Sequence, residues 1–392
     1  MAQSDPTTTD QRNRGIDALR GMSILLVILN HVGIRIPLKK TALASIFPAT
    51  FLSDLNYNGY EAVFIFFVIS GFLITRRAQE RSGNLRRIAL REFYVRRAAR
   101  ILPCLIALVT VLAALHLCGS ANYVIAKPGQ SLPGAVFATL GLHLNWYEGA
   151  NGYLPGNWDV LWSLSIEEVF YLGFPLLCLA CGGTRWFVAI LAALVLSMPF
   201  THAAAAGNEI WQEKAYLPGM AAIAVGILAA QLATTAPRPS QRVAFGLRVA
   251  GTLGICAILF AGRSVWHLLR DGYLLVLTGS AASLVLGMHW HAANEAPFRM
   301  PGLQWLRSCG GLSYEIYLTH MFCVYAIVDH ARWTGVDPAW GFMWYPLAIG
   351  ASWLLGWLVA RWFSQPCERW LRHRYSESAS IRPVAAAAAA DV

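Results

Sequence analysis

The chain has 392 residues, 56% of them hydrophobic and only 13% charged. A soluble domain carries roughly twice that charged fraction, so a soluble globular protein is excluded. The net charge of +10 is read through its placement between apolar stretches, as a topology signal, and no nucleic-acid partner is expected.

Apolar stretches of bilayer-spanning length recur along the chain. They predict an all-α fold, a polytopic transmembrane helical bundle of ten spans. The spans lie near residues 16–36, 58–75, 101–118, 163–182, 186–203, 216–233, 243–262, 272–290, 310–330 and 341–363. With the N-terminus inside, 23 of the 31 Lys and Arg residues fall on the cytoplasmic side or at its edge. Both termini are therefore expected in the cytoplasm, and the chain in the inner (plasma) membrane. Residues 1–13 and 376–392 are polar or low in complexity and are expected to be disordered tails flanking one membrane domain, 14–375. The first apolar segment lacks an A-x-A-like cleavage site and is expected to remain as the first span.

That segment, GIDALRGMSILLVILNHVGI, holds Arg20 and His31 eleven residues apart. Eleven residues are close to three helical turns, so both side chains share one face, about 16 Å apart along the axis. Ionisable groups inside a membrane mark functional sites by default, although a flank arginine and a packed core histidine have the same spacing. Asp17, three residues before Arg20, falls near the same face. In the second span, Ser70 and Gly71 permit close helix approach.

The 76–100 loop carries nine arginines and two glutamates. Its second half suits an amphipathic helix on the inner leaflet. Arg96, Arg97 and Arg100 lie directly against the third span, within reach of a phosphate-rich ligand; arginines that only fix topology would read the same way. The following stretch, 119–162, holds Tyr123, His143, Asn145, Trp146, Tyr147, Tyr153, Trp158 and Trp162. Such a run serves either as an interfacial belt or as a stacking surface for a sugar. Within it, 133–147 is too short to span and is expected to be re-entrant or interfacial.

Glu167 and Glu168 open the fourth span. They either complement a helix N-terminus or orient a histidine. Segment 310–322, GGLSYEIYLTHMF, places Ser313, Tyr314, Glu315, Tyr317 and His320 within a few turns. The eight cysteines form one lone C-x-x-C, Cys178 and Cys181, so neither a metal site nor a disulfide framework is expected.

Five motifs stand in a fixed order: Arg20 with His31, FFVISGFLI, FYVRRAARILP, WSLSIEEVFYL and LSYEIYLTH. Over about residues 14–370 the chain resembles the membrane-integral acyltransferase family 3, which includes O-antigen, Nod-factor and macrolide O-acyltransferases. The resemblance implies a ten-span fold with cytoplasmic termini. It implies no bound cofactor, a cytoplasmic acyl-CoA co-substrate, acetyl-CoA by default, and an acceptor hydroxyl at the membrane or beyond it. His31 matches the family's proposed catalytic residue. Arg20 and the arginines of FYVRRAAR, Arg97 and Arg100 among them, match its donor contacts. Glu315 stands where family members often carry a small or neutral residue.

The chemistry suits these residue types. A hydroxyl is a poor nucleophile until a base takes its proton, and neutral imidazole does so at cellular pH. His31 is the candidate base, with Glu168 or Glu167 as its partner. Ser70, Tyr314, Tyr317, His320 and Trp162 are candidates for contacting the substrate or the oxyanion. No nucleophile motif stands beside His31, which favours direct transfer. The expected reaction is O-acylation of a cell-surface or lipid-linked carbohydrate. The alternatives are acylation of a diffusible small molecule such as a macrolide, or a transporter or flippase of a polar lipid or glycoside. No internal repeat supports the last.

Overall fold

The computed structural model describes residues 13–292 and 303–375. Ten helices of 16 residues or more stand among them: α1 (Arg14–Gly33), α2 (Gly59–Ser82), α3 (Leu90–Leu117), α4 (Trp162–Cys181), α5 (Arg185–Ala204), α6 (Tyr216–Thr235), α7 (Gln241–Leu269), α8 (Tyr273–Ala292), α9 (Ser313–Thr334) and α10 (Trp344–Val359). No strand occurs among the described residues. The expected tails lie outside them, except that Asn13 caps α1 by accepting from Gly15 N and Ile16 N.

Nine of the ten expected spans are helices long and apolar enough to cross a membrane. The tenth, α9, has the length: 22 residues reach about 33 Å, against a hydrocarbon core of about 30 Å. Its polar residues lower its hydropathy, and Glu315, Thr319 and His320 are buried inside the protein. Glu315 has a structural role, since Ser364 Oγ donates to its Oε1 at 2.8 Å. Ser364 closes a π-helical turn, Ala360–Ser364, that follows α10.

Two boundaries differ from expectation in a way that builds the site. α2 runs on to Ser82 and α3 begins at Leu90. The second half of the 76–100 loop is therefore no separate surface helix. It is the first turns of α3, continuous with the span, and its arginines are held at fixed heights above the membrane-embedded part. Gly83, at φ +66°, ends α2 in the left-handed region that favours glycine.

Glycines set the helix spacing. A Cβ on Gly71 would lie 2.0 Å from the carbonyl oxygen of Ile223, and one on Gly226 would lie 2.0 Å from that of Val68. α2 and α6 thus meet backbone to backbone, the close approach that small residues allow in membranes. Segment 133–147 falls within two short helices, Leu132–Leu140 and Leu144–Asn151. The aromatic residues of 119–162 are largely used in packing: Tyr123 stacks on Phe322, Trp146 meets Trp211 edge-on, and Trp158 is fully buried.

Candidate active site

Helices α1, α2, α3, α4 and α9 enclose a cavity of about 600 Å³, a volume in the usual range for small-molecule sites. Its walls carry eight arginines and two glutamates. Arg77 and Arg81 come from the extension of α2, Arg87 from the turn after it, Arg96, Arg97 and Arg100 from the first turns of α3, and Arg372 from the helix beyond α10. Arg20 lies on α1, where its Nη2 donates to Ser313 Oγ at 2.7 Å. Guanidinium groups present several donors in a rigid fork, which suits phosphate.

Deeper in, Arg97 is the hub. It donates to Glu168 Oε1 at 3.1 and 3.2 Å and to Glu167 Oε2 at 3.3 Å. Its guanidinium lies 3.7 Å from the centre of the Tyr171 ring, and the Tyr171 hydroxyl shares a 2.5 Å hydrogen bond with Ser70. Arg100 is held more loosely, 3.8 Å from Glu368 and 5.9 Å from the Tyr314 ring centre. Tyr314 donates to Ile101 O at 2.8 Å, which leaves its ring on the cavity wall.

Ser163 and Tyr317 also line the cavity. Tyr317 donates to Val160 O at 2.7 Å and accepts from Ser163 Oγ at 2.8 Å. Beyond Tyr317 stand two imidazoles. Its ring centre is 5.9 Å from His320, and His320 is 5.1 Å from His31. His320 Nδ1 lies 2.8 Å from Tyr317 O. Only a protonated nitrogen can bond a carbonyl, so Nδ1 carries the hydrogen and Nε2 of the neutral ring keeps its lone pair. Arg35 ties the next turn down by donating to His31 O at 2.8 Å and to the Tyr325 hydroxyl at 3.2 Å.

The predicted residues divide cleanly. Arg20, Arg97, Arg100, Ser70, Glu167, Tyr314 and Tyr317 line the cavity, whereas His31, His320, Glu168 and Trp162 do not. The partner expected for His31 was Glu168 or Glu167; both carboxylates are hydrogen-bonded to Arg97, and the ring beside His31 is that of His320. Trp162 packs on Tyr60 and Phe67. Tyr171 escaped the sequence reading, although its spacing of three and four residues from the two glutamates marks the same helix face. Arg77 and Arg81 escaped because the second span was ended at residue 75.

A second ionic cluster lies at the end of the bundle away from the arginines. Buried Lys214 donates to Glu148 Oε2 at 2.7 Å, pairs with Asp159, and lies 4.5 Å from the Tyr153 ring centre. Burial, then repulsion from Asp159, holds the Glu148 carboxyl above its usual range despite Lys214.

A helical membrane bundle with a guanidinium-lined cavity and a nearby pair of imidazoles is the kind of site that a membrane group-transfer protein requires. The comparison with known families agrees: the acyltransferase domain family model matches residues 13–362, and the chain belongs to that family. It is a multi-pass membrane protein. It is 26% identical over 342 residues to the peptidoglycan O-acetyltransferase OatA of Listeria monocytogenes, a match covering 78% of this chain and 48% of that protein. It is 29% identical over 173 residues to the O-acetyltransferase OatA of Staphylococcus aureus, covering 41% and 24% respectively. The chain thus spans about half the length of the first of these relatives or less. No solved structure matches it.

Proposed function

We propose that this protein is a membrane O-acyltransferase that moves an acyl group, acetyl by default, from cytoplasmic acyl-CoA to a hydroxyl of a cell-surface or lipid-linked carbohydrate. The carrying observation is a juxtaposition of groups: eight arginines and Tyr317 on the walls of one cavity, and the imidazole pair next to Tyr317. The nucleotide end of CoA is strongly anionic and matches these arginines. The positive-inside rule puts their end of the bundle, and both termini, in the cytoplasm of an inner-membrane protein. The pantetheine arm then extends along the cavity towards Tyr317. Names carrying peptidoglycan O-acetylation among the relatives favour a carbohydrate acceptor.

At the reaction centre the acceptor oxygen forms a bond to the thioester carbonyl carbon as its proton passes to a neutral imidazole, assigned to His31. The tetrahedral oxyanion needs a donor within hydrogen-bond distance. As it collapses, the C–S bond breaks and the proton leaves on the CoA sulfur, so the products are the O-acyl ester and free CoA. No cofactor is consumed.

The test is transfer by purified protein from radiolabelled acetyl-CoA, with Arg100→Lys beside the wild type. Lysine keeps the charge and the topology but loses the planar fork. The expected result is an apparent KM for acetyl-CoA raised about tenfold, equal to about 1.4 kcal/mol of donor binding, with acceptor KM unchanged. An effect confined to the acceptor would remove Arg100 from the donor site. A transporter would show no acyl transfer by either form.

A further inference from the structure

The segment 155–161, which precedes α4, packs against α9. It is fastened to α9 at two points. Gly156 N donates to the Tyr325 hydroxyl at 3.0 Å, and Val160 O accepts from Tyr317 at 2.7 Å. Tyr317, His320, Met321 and Tyr325 recur at helical spacing on one face of α9, so the segment lies across the face that carries His320. The position of Gly156 agrees, since a Cβ there would meet Met321 Cε at 2.7 Å and the Tyr325 hydroxyl at 2.8 Å.

Asn157, the next residue, is 1% exposed, and His320 is fully buried. Among the described residues, neither amide atom of Asn157 has a hydrogen-bond partner, and nor does Nε2 of His320. Buried polar groups are nearly always paired, and those that are not call for an explanation. A solely structural role gives none, because an apolar residue of the same size would fill the position without stranding two polar atoms. The three atoms supply hydrogen-bond acceptors, Asn157 Oδ1 and His320 Nε2, together with a donor group, Asn157 Nδ2. That mixture does not suit CoA phosphates, which only accept and already have the arginines. It suits hydroxyl groups, which donate and accept.

We infer that Asn157 and His320 bind the sugar acceptor, holding its target hydroxyl and a neighbouring polar group beside His31. The inference rests on the acyltransferase reading and adds the acceptor subsite to it.

The experiment compares wild type, Asn157→Leu and Asn157→Ser in full-length purified protein, with acetyl-CoA as donor and chitotetraose as acceptor probe. Thermal melting is measured on the same samples. Leucine has the same number and branching of side-chain heavy atoms as asparagine and strands no polar atom, so its melting temperature should stay close to or exceed that of wild type. Its acceptor KM should rise at least about tenfold, the loss of one good hydrogen bond or more, with donor KM within about twofold. Serine, keeping one hydroxyl, should fall between. An unchanged acceptor KM in both variants, or an equal rise in donor KM, overturns the subsite while transfer by wild type still stands. Absence of transfer by wild type overturns the carbohydrate acylation itself and the subsite with it.

Discussion

Replacing His31 by alanine is expected to lower acyl transfer by about 10²–10⁴-fold, the usual loss on removing a general base, with membrane insertion and yield close to wild type. The structure gives this expectation a form that can be checked. The ring centre of His31 lies 5.1 Å from that of His320, and the backbone carbonyl of His31, not its side chain, accepts from Arg35. The alanine variant therefore keeps the Arg35 anchor and the end of α1, and loses the imidazole alone. Both KM values should stay within a few-fold while kcat falls. Activity above half that of wild type would mean that His31 is a packing residue and that the base lies elsewhere.

The second large effect is expected at Arg97, and it is one of stability before catalysis. Arg97 is hydrogen-bonded to both Glu167 and Glu168 and lies against Tyr171. Arg97→Leu leaves two neighbouring carboxylates in the bundle without their counter-charge. Removing one partner from a fully buried ion pair costs about 3–5 kcal/mol; these side chains are 15–23% exposed, so the variant should melt below wild type by somewhat less than that full cost implies. The double variant Arg97→Leu/Glu168→Gln removes one stranded charge as well. It should regain part of the lost stability, because groups in one network do not contribute additively. If Arg97→Leu melts like wild type and only its acetyl-CoA KM rises, Arg97 is a donor contact and not the hub of the fold. Arg100, held at 3.8 Å by Glu368, should show the opposite division.

The comparison of sequence with structure turns on particular residues. The helices were legible because spans need long apolar runs and because Arg20, His31, Glu315 and His320 are too costly in lipid to be accidental. Their register against one another was not legible. Helical spacing put Arg20 and His31 on one face of α1, yet only tertiary packing decides that Tyr317, from α9, comes between the cavity and the imidazoles. Glu167 and Glu168 were legible as candidate site carboxylates. Their partner was not, because Arg97 lies seventy residues earlier in the chain and reaches them only through the extension of α3 to Leu90. The arginine-rich loop was legible as a charge signal. Its conversion into a cavity wall depended on where α2 stops and α3 starts, and helix ends are the part of a sequence pattern most easily misplaced.

The glycines carry the same lesson. Gly71 was readable as a small residue in a span. That it faces Ile223 while Gly226 faces Val68 follows from the crossing of α2 and α6, which no local pattern contains. Nothing in the sequence singles out Asn157. Its burial together with its unpaired amide is a property of the fold alone.

The central claim is that the donor enters from the arginine-lined end and meets an acceptor arriving from the opposite side. Sealed vesicles of known orientation test it most directly. Radiolabelled acetyl-CoA is supplied only to the face bearing the 76–100 arginines, and the acceptor is confined to the other face. The account predicts labelled acceptor on that far face, and none when acetyl-CoA is supplied there instead. Transfer that occurs only when both substrates share the arginine-rich face would contradict it.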